Sequence, residues 1–275
     1  MPRLTLDVGL ANGIPLFGFG TYPLRGEDAR RAVTMALDLG IRHIDTAQMY
    51  GNERDVGRAL RDSGLRRGEI FVVTKVDPGN LGADRFATSV ARSMDDLGGP
   101  ADLLLIHWPP DDADLEAVVD RLQAERDRGM TRSIGVSNFS PRLLRRAQLQ
   151  AAGALINNQV EFHPLLDQSA LLAAARDEGI VLSAYSPLAR GKALAANAVR
   201  DIARRRAVPE SAVVLRWTMQ QGVAVIPMTT KIENARDNLK ALTFALSDAE
   251  MAAVSQLGSR SGRIIDPGWM AGRWD

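Results

Sequence analysis

The chain contains no cysteine and only three histidines in 275 residues. Disulfides, thiolate nucleophiles and cysteine metal sites are excluded, and a zinc site is not expected from so few ligands. Any redox chemistry must therefore come from a bound cofactor. One-sided charge is missing too, since Lys+Arg 34 against Asp+Glu 33 leaves a formal charge of +1. Such a balance creates no field that would draw in nucleic acid or an anionic membrane, and small-molecule chemistry fits better. No stretch approaches the roughly 18 uninterrupted apolar residues of a membrane span. The opening MPRLTLDVGL has neither a basic segment followed by an apolar run nor a small-residue cleavage site. The expectation is a cytoplasmic protein with neither nucleic acid nor membrane as partner.

What is present is 45% hydrophobic content spread over the whole length. That is enough for a large core, and α/β barrels of roughly 250 residues commonly form one domain. One domain spanning residues 1 to 275 is expected. Eight short apolar runs recur along it: PLFGFGTY (15 to 22), IRHIDTA (41 to 47), IFVVTKV (70 to 76), DLLLIHW (102 to 108), RSIGVSN (132 to 138), NNQVEF (157 to 162), IVLSAYS (180 to 186) and VAVIPMT (223 to 229). Most are continuously apolar rather than alternating, as in parallel strands buried on both faces.

Helical signals lie between the runs. Phe86, Val90, Met94 and Leu97 recur at helical spacing, and Ser140 with Pro141 supplies an N-cap and a first-turn proline. Gly40 and Gly179 sit where C-cap glycines belong, Pro209 opens another helix, and Ser247 with Glu250 matches a capping box. The alternation predicts a (β/α)8 TIM barrel, with LTLDVG, Asn12-Gly13 and IPL forming a short N-terminal β-hairpin that plugs its bottom. GFG (18 to 20) is no dinucleotide fingerprint, because no third glycine follows at the required spacing and no helix opens there.

In such a barrel, reactive groups come from the C-terminal strand ends and the loops that follow. Asp45, Lys75 and His107 occupy such ends, and Tyr50 follows Asp45 by five residues. Taken singly, each has a bland reading: a structural ion pair for Asp45 and Lys75, a satisfied core histidine, a packed aromatic. Together they supply what a carbonyl reduction needs around one oxygen. Tyr50 is the proton donor, Lys75 lowers its barrier to ionisation, Asp45 holds Lys75 charged, and His107 fixes the substrate carbonyl. His43 and His163 read as structural. A Schiff-base lyase or aldolase using Lys75 as nucleophile is the first rival. A cofactor-sensing regulatory protein of the same fold is the second.

The chain resembles the aldo-keto reductases over essentially its whole length. GIRHIDTAQMYGNE (40 to 53) matches the family's first signature, with Asp45 and Tyr50 at its catalytic positions. LLLIHWP (103 to 109) matches the strand of the catalytic histidine, and TKV (74 to 76) holds the lysine. RSIGVSNF (132 to 139), NNQVEFHP (157 to 164) and AYSPL (184 to 188) match the nicotinamide-binding segments. The resemblance implies an NAD(P)-dependent reductase of aldehydes or ketones, reversible as an alcohol dehydrogenase, acting as a monomer on a small-molecule carbonyl.

By the same resemblance, Ser137, Asn138 and Gln159 bind the nicotinamide carboxamide, Tyr185 stacks on its ring, and Ser186 and Leu188 line the pyrophosphate about a turn set by Pro187. Thr21 joins the cofactor set. The last cofactor segment, PMTTKIENARDN (227 to 238), departs from the family pattern after Pro227. Met228 stands for a lysine, Thr229 for a serine, Asn234 for an arginine and Asp237 for a glutamate, while Asn238 remains to bind adenine. Losing two phosphate-directed cations weakens preference for NADP(H) by a few kcal/mol, at about 1.5 to 3 for each charge-assisted bond, and leaves NAD(H) or dual use open. Lys231 either compensates at the 2′-phosphate or is a solvated loop lysine. Tyr22, Met49 and Trp108 fall where the family lines its substrate pocket. Asp77 either favours hydroxylated substrates or is solvated, and Trp269 or Trp274 in the tail either reaches over the mouth or only packs.

Overall fold

Continuous apolar runs bounded by glycine, proline and polar turns leave the chain one economical solution, a parallel sheet covered by helices and closed on itself. The computed structural model describes residues 8–270 and 272–274. A hairpin of β1 (Leu10–Ala11) and β2 (Ile14–Pro15) precedes eight parallel strands. These are β3 (Phe19–Gly20), β4 (His43–Asp45), β5 (Phe71–Val76), β6 (Ala101–Ile106), β7 (Thr131–Ser137), β8 (Leu155–Glu161), β9 (Val181–Tyr185) and β10 (Ala224–Val225). Each of the eight apolar runs contributes one strand. They are hydrogen-bonded in chain order from β3 to β10. A bridge between Phe17 and Val225 joins the outer edges, with Gly18 N–H donating to Val225 O at 2.8 Å and Gly20 N–H to Pro227 O at 3.2 Å.

The glycines of GFG belong to this seam. A Cβ on Gly18 would lie 2.7 Å from the His43 ring, and one on Gly20 would lie 2.9 Å from Ile226 O. Glycine at 20 lets the first strand approach the end of the last, and glycine at 18 leaves room for the His43 ring of β4. At the bottom, Asn12 and Gly13 turn the hairpin with φ of 47° and 79°, as a two-residue turn requires. Ile14 of the hairpin packs inside the barrel with Val73, Leu103, Leu105 and Ala224. The plug therefore forms, but its first arm is Leu10–Ala11 rather than LTLDVG, of which residues 4–7 lie outside the described residues.

Ten helices are described: α1 (Gly26–Asp38), α2 (Glu53–Asp62), α3 (Phe86–Leu97), α4 (Leu115–Asp127), α5 (Pro141–Gln150), α6 (Ser169–Asp177), α7 (Asn197–Arg206), α8 (Glu210–Gln220), α9 (Ile232–Leu239) and α10 (Asp248–Ser255). Helix α3 buries Phe86, Val90, Met94 and Leu97, the stripe read from sequence, and Gly98 ends it at φ 82°. The glycine after α6 has φ 68°, and the Ser247–Glu250 capping box opens α10 with both reciprocal bonds made. Ser140 holds the N-cap position of α5, yet its hydroxyl makes no capping bond. Among the described residues no helix is long and apolar enough to cross a membrane.

Alternation along the strands decides what faces the barrel axis. Val73, Leu103 and Leu105 fill the lower interior. One pleat higher, the same faces carry Lys75 and His107. The upper layer is thus polar, and every group in it needs a partner.

On the outside, Arg206 of α7 grips Glu250 of α10 through both carboxylate oxygens, at 2.9 and 2.5 Å. The guanidinium holds the Glu250 carboxyl at about 2, against an ordinary 4.5. A depressed carboxyl contributes stability that is complete above its unfolded pKa and fades as pH falls towards the folded one. Arg206→Ala should cost about 1 kcal/mol at pH 7, given solvent screening. In urea unfolding that gap should narrow between pH 4.5 and 3; an unchanged gap at the lower pH would refute the assignment.

Candidate active site

Lys75 has no exposed surface and Asp45 has 1%. Two charges so placed must satisfy each other or neutralise. Lys75 Nζ donates to Asp45 Oδ1 at 2.6 Å, to Thr46 O at 2.9 Å and to Tyr50 Oη at 3.2 Å, which uses all three of its protons. Asp45 Oδ2 accepts from Gln159 Nε2 at 2.6 Å across the barrel mouth. Strand ends that lie far apart in sequence are joined here by one ammonium and one carboxylate. Burial pulls the Lys75 pKa down, and Asp45 pushes back.

Tyr50 ends a short 3-10 turn, Gln48–Tyr50, which Gly51 closes in the left-handed region at φ 65°. The turn drops the ring between Tyr22, at 5.1 Å between centroids, and His107, at 5.5 Å and near perpendicular. Burial drives the Tyr50 phenol well above its ordinary value, and the nearby charge of Asp45 adds to this. The sequence suggested that Lys75 would lower the phenol's barrier to ionisation. Desolvation sets the direction instead, so the resting phenol keeps its proton. His107 is driven the other way, well below its usual pKa, first by burial and then by Lys75. Its imidazole is neutral at neutral pH, and its Nδ1 is buried without a partner among the described residues.

The polar residues of the next strand ends form a second group. Ser137 Oγ donates to Gln159 O at 2.7 Å, and Asn138 Nδ2 donates to His107 O at 3.0 Å. Tyr185 Oη donates to Asn138 Oδ1 at 2.7 Å, which fixes a half-exposed aromatic ring beside two buried amides. Asn138 takes φ 64° to do so, a conformation asparagine tolerates. Ser186, at φ 48°, and buried Pro187 turn the chain into Leu188 and a 3-10 segment, Ala189–Ala195. Thr21 Oγ1 donates to Asp45 O at 2.9 Å, so its hydroxyl proton braces the carboxylate strand.

Beyond β10, Pro227 and Asn238 are buried, Thr229 and Asp237 are half-buried, and Met228, Lys231 and Asn234 are exposed. Asp237 pairs with Lys240 at 3.0 Å. Around the mouth, Tyr22 and Met49 are exposed and Trp108 is buried. Trp269 and Trp274 both reach Trp108, with centroids at 4.8 and 6.3 Å and edges turned to its face. His43 bonds Pro15 O at the barrel bottom, and His163 bonds Glu161, both away from Tyr50.

Sequence reading missed the braces. Gln48 Oε1 accepts from Asp77 N and Asn80 Nδ2 at 3.0 and 2.9 Å, and Asn52 accepts from Thr46 Oγ1 at 2.6 Å. Glu53 accepts from Thr74 and Ser93, and burial raises its carboxyl pKa. Gln48 looks like part of an ordinary polar loop, and Asn52 and Glu53 like an ordinary helix start, until the fold turns them inward. Asp77 Oδ1 accepts from Gly79 N at 2.7 Å and caps a turn.

Comparison with known proteins agrees with this geometry. Residues 10–259 match the model of the Aldo/keto reductase family. The chain is 39% identical to methylglyoxal reductase DkgB of Yersinia pestis, covering 95% of this chain and 99% of that protein. It is 40% identical to an aldo-keto reductase of Mycobacterium sp. (strain KMS), covering 95% of both. A crystal structure provisionally assigned as a 2,5-diketo-D-gluconic acid reductase B superposes with a TM-score of 0.93 at 39% identity over 96% of each chain. The aldose reductase of Schistosoma japonicum superposes at 0.86 with 28% identity over 94% of each. A barrel whose upper layer gathers Asp45, Lys75, Tyr50 and His107, matched over nearly its whole length, belongs to the aldo/keto reductase family, and the chain is an NAD(P)-dependent oxidoreductase acting on carbonyl groups.

Proposed function

We propose that the protein reduces small 2-oxoaldehydes such as methylglyoxal to hydroxyketones, with Tyr50 as general acid and NADPH as the preferred cofactor. The observation that carries this reading is the Lys75 ammonium, bonded to both Asp45 and Tyr50 beside a neutral His107. His107 donates one ring N–H to the substrate carbonyl oxygen and aligns it with the Tyr50 hydroxyl. Tyr50 delivers its proton to that oxygen as charge develops there. Lys75 then stabilises the phenolate left behind, through the bond it already makes to Tyr50 Oη. Asp45 and Gln159 keep Lys75 from swinging away.

A nicotinamide suits the second polar group. A half-exposed ring held by its own hydroxyl, next to a serine hydroxyl and two side-chain amides, matches a flat ring bearing a carboxamide. Tyr185 would support the ring, with Ser137, Asn138 and Gln159 at its edge, Thr21 nearby and Ser186, Pro187 and Leu188 along the pyrophosphate. Pro227, Met228, Thr229, Lys231, Asn234, Asp237 and Asn238 would face the adenosine end. When bound, the reduced nicotinamide supplies the hydride. Tyr22, Met49 and Trp108 would line the substrate pocket, which suits a small, largely apolar carbonyl. The names of the relatives point the same way.

A lyase mechanism through Lys75 is disfavoured by the site itself. A nucleophilic amine needs a free lone pair, and this one is fully buried with three acceptors around it.

Two outcomes test the proposal. Tyr50→Phe should lower kcat for methylglyoxal by about 10² to 10⁴ while NADPH titration still shows binding; unchanged turnover would remove Tyr50 from the mechanism. Met228→Lys should raise the kcat/KM ratio of NADPH over NADH by about tenfold or more, the worth of one charge-assisted bond. An unmoved ratio would mean that the 2′-phosphate lies elsewhere.

A further inference from the structure

Glu161 ends β8 two residues beyond Gln159, and its side chain has no exposed surface. A carboxylate so deeply buried costs several kcal/mol unless donors surround it. Its Oε1 accepts from His163 Nε2 at 2.9 Å and from Ile264 N–H at 2.7 Å. Its Oε2 accepts from Ile265 N–H at 2.9 Å and lies 3.9 Å from the Arg263 guanidinium. Most of these donors come from the tail, more than a hundred positions away in sequence. Nothing in the reaction chemistry uses this carboxylate.

What it holds is the wall of the substrate pocket. Arg263 stacks on Trp274 at 3.7 Å, and Trp274 Nε1 donates to Asp266 at 2.8 Å. Trp269 and Trp274 turn their edges to Trp108, which lies parallel to the His107 ring within 19°. At the entrance to the tail, a Cβ on Gly262 would run into the Leu165 carbonyl, so the tail leaves the barrel along one path. A continuous set of contacts therefore runs from the buried carboxylate to the ring next to the carbonyl-binding imidazole.

We infer that Glu161 is a positioning residue for substrate selection: its charge fastens the tail, and the fastened tail sets how large a group can sit beside Trp108. The inference rests on the reductase reading above. Substrates of one reacting group and different bulk isolate the effect, because chemistry at Tyr50 is common to both.

The test compares methylglyoxal with phenylglyoxal, using NADPH and the full chain. In Glu161→Gln the amide presents N–H to a backbone N–H that had faced oxygen, and the tail loses one of its two backbone hydrogen bonds to this side chain. The kcat/KM ratio should move towards phenylglyoxal by about tenfold, the scale on which apolar pockets discriminate size. Trp269→Ala should shift the ratio in the same direction. The double variant should then add little, since both changes act through one wall. Equal loss on both substrates, or full additivity in the double variant, would overturn the inference and leave Glu161 as a structural residue only. Should Glu161→Gln fail to fold, Glu161→Asp keeps the charge and withdraws it, and an unmoved ratio there would be equally fatal. Tryptophan emission gives a readout without turnover: a red shift and greater acrylamide quenching in the Glu161 variants support the tether, and an unchanged spectrum refutes it. Absence of methylglyoxal reduction in the wild type would instead overturn the function proposed above, with the emission test still standing.

Discussion

The buried pair of Asp45 and Lys75 is the constraint to which the upper half of the barrel answers. An ion pair in such a place is a poor source of stability, because desolvation of both charges offsets most of their attraction. Here it is tolerable only because each remaining valence is filled, by Thr46 O and Tyr50 Oη on the ammonium and by Gln159 on the carboxylate. Those partners fix the ends of β4, β5 and β8 relative to one another. Removing Asp45 or Lys75 itself would leave the other as a buried charge without compensation, a cost of about 3 to 5 kcal/mol. The apolar core pays for a site that contributes little to its own stability.

The core can carry that cost because the two halves of the barrel differ by one pleat. Below, Ile14, Val73, Leu103, Leu105 and Ala224 close the interior without any polar atom in their side chains. Above, the same strand faces present Lys75 and His107. Strand alternation thus converts a uniformly apolar sequence run into a dry floor and a polar ceiling. The exceptions are the pair Asn157 and Ser183, buried and bonded to each other at 2.8 Å one pleat below Gln159 and Tyr185, and His43. His43 sits in the lower half, loses basicity through burial, and uses one ring nitrogen on Pro15 O of the hairpin.

The features legible in sequence were those with a local cause. Continuous apolar runs located all eight strands, the Phe86 stripe located α3, and glycine and capping signals placed helix ends. Asp45, Lys75 and His107 were legible because parallel strands deliver their ends to one face, and Tyr50 because it follows one of those ends by five residues. Glu161 was not, since its meaning depends on Ile264 and Ile265, which no spacing rule connects to it. Asn52 and Glu53, the N-cap and first residue of α2, were hidden for a related reason: nothing local says that the start of this helix is buried. Ser140 failed in the opposite way. It has the residue type and position of an N-cap, but its hydroxyl makes no capping bond.

The electrostatics of Tyr50 show where sequence logic gives the wrong sign. A cation beside a phenol argues for a lowered pKa, yet burial and Asp45 drive it up. The two statements concern different moments of one proton. Before transfer, the buried neutral phenol is the favoured form, and the donor stays charged with its proton over the physiological range. In the proposed transfer, negative charge would appear on Tyr50 Oη, 3.2 Å from an ammonium that is already oriented. No dipole need turn to meet that charge, and in a site with little water the interaction is stronger than it would be in solution. Under that proposal desolvation keeps the proton in place until an acceptor arrives, and the preset Lys75 then limits the cost of losing it. A phenol made acidic in the resting state would do neither.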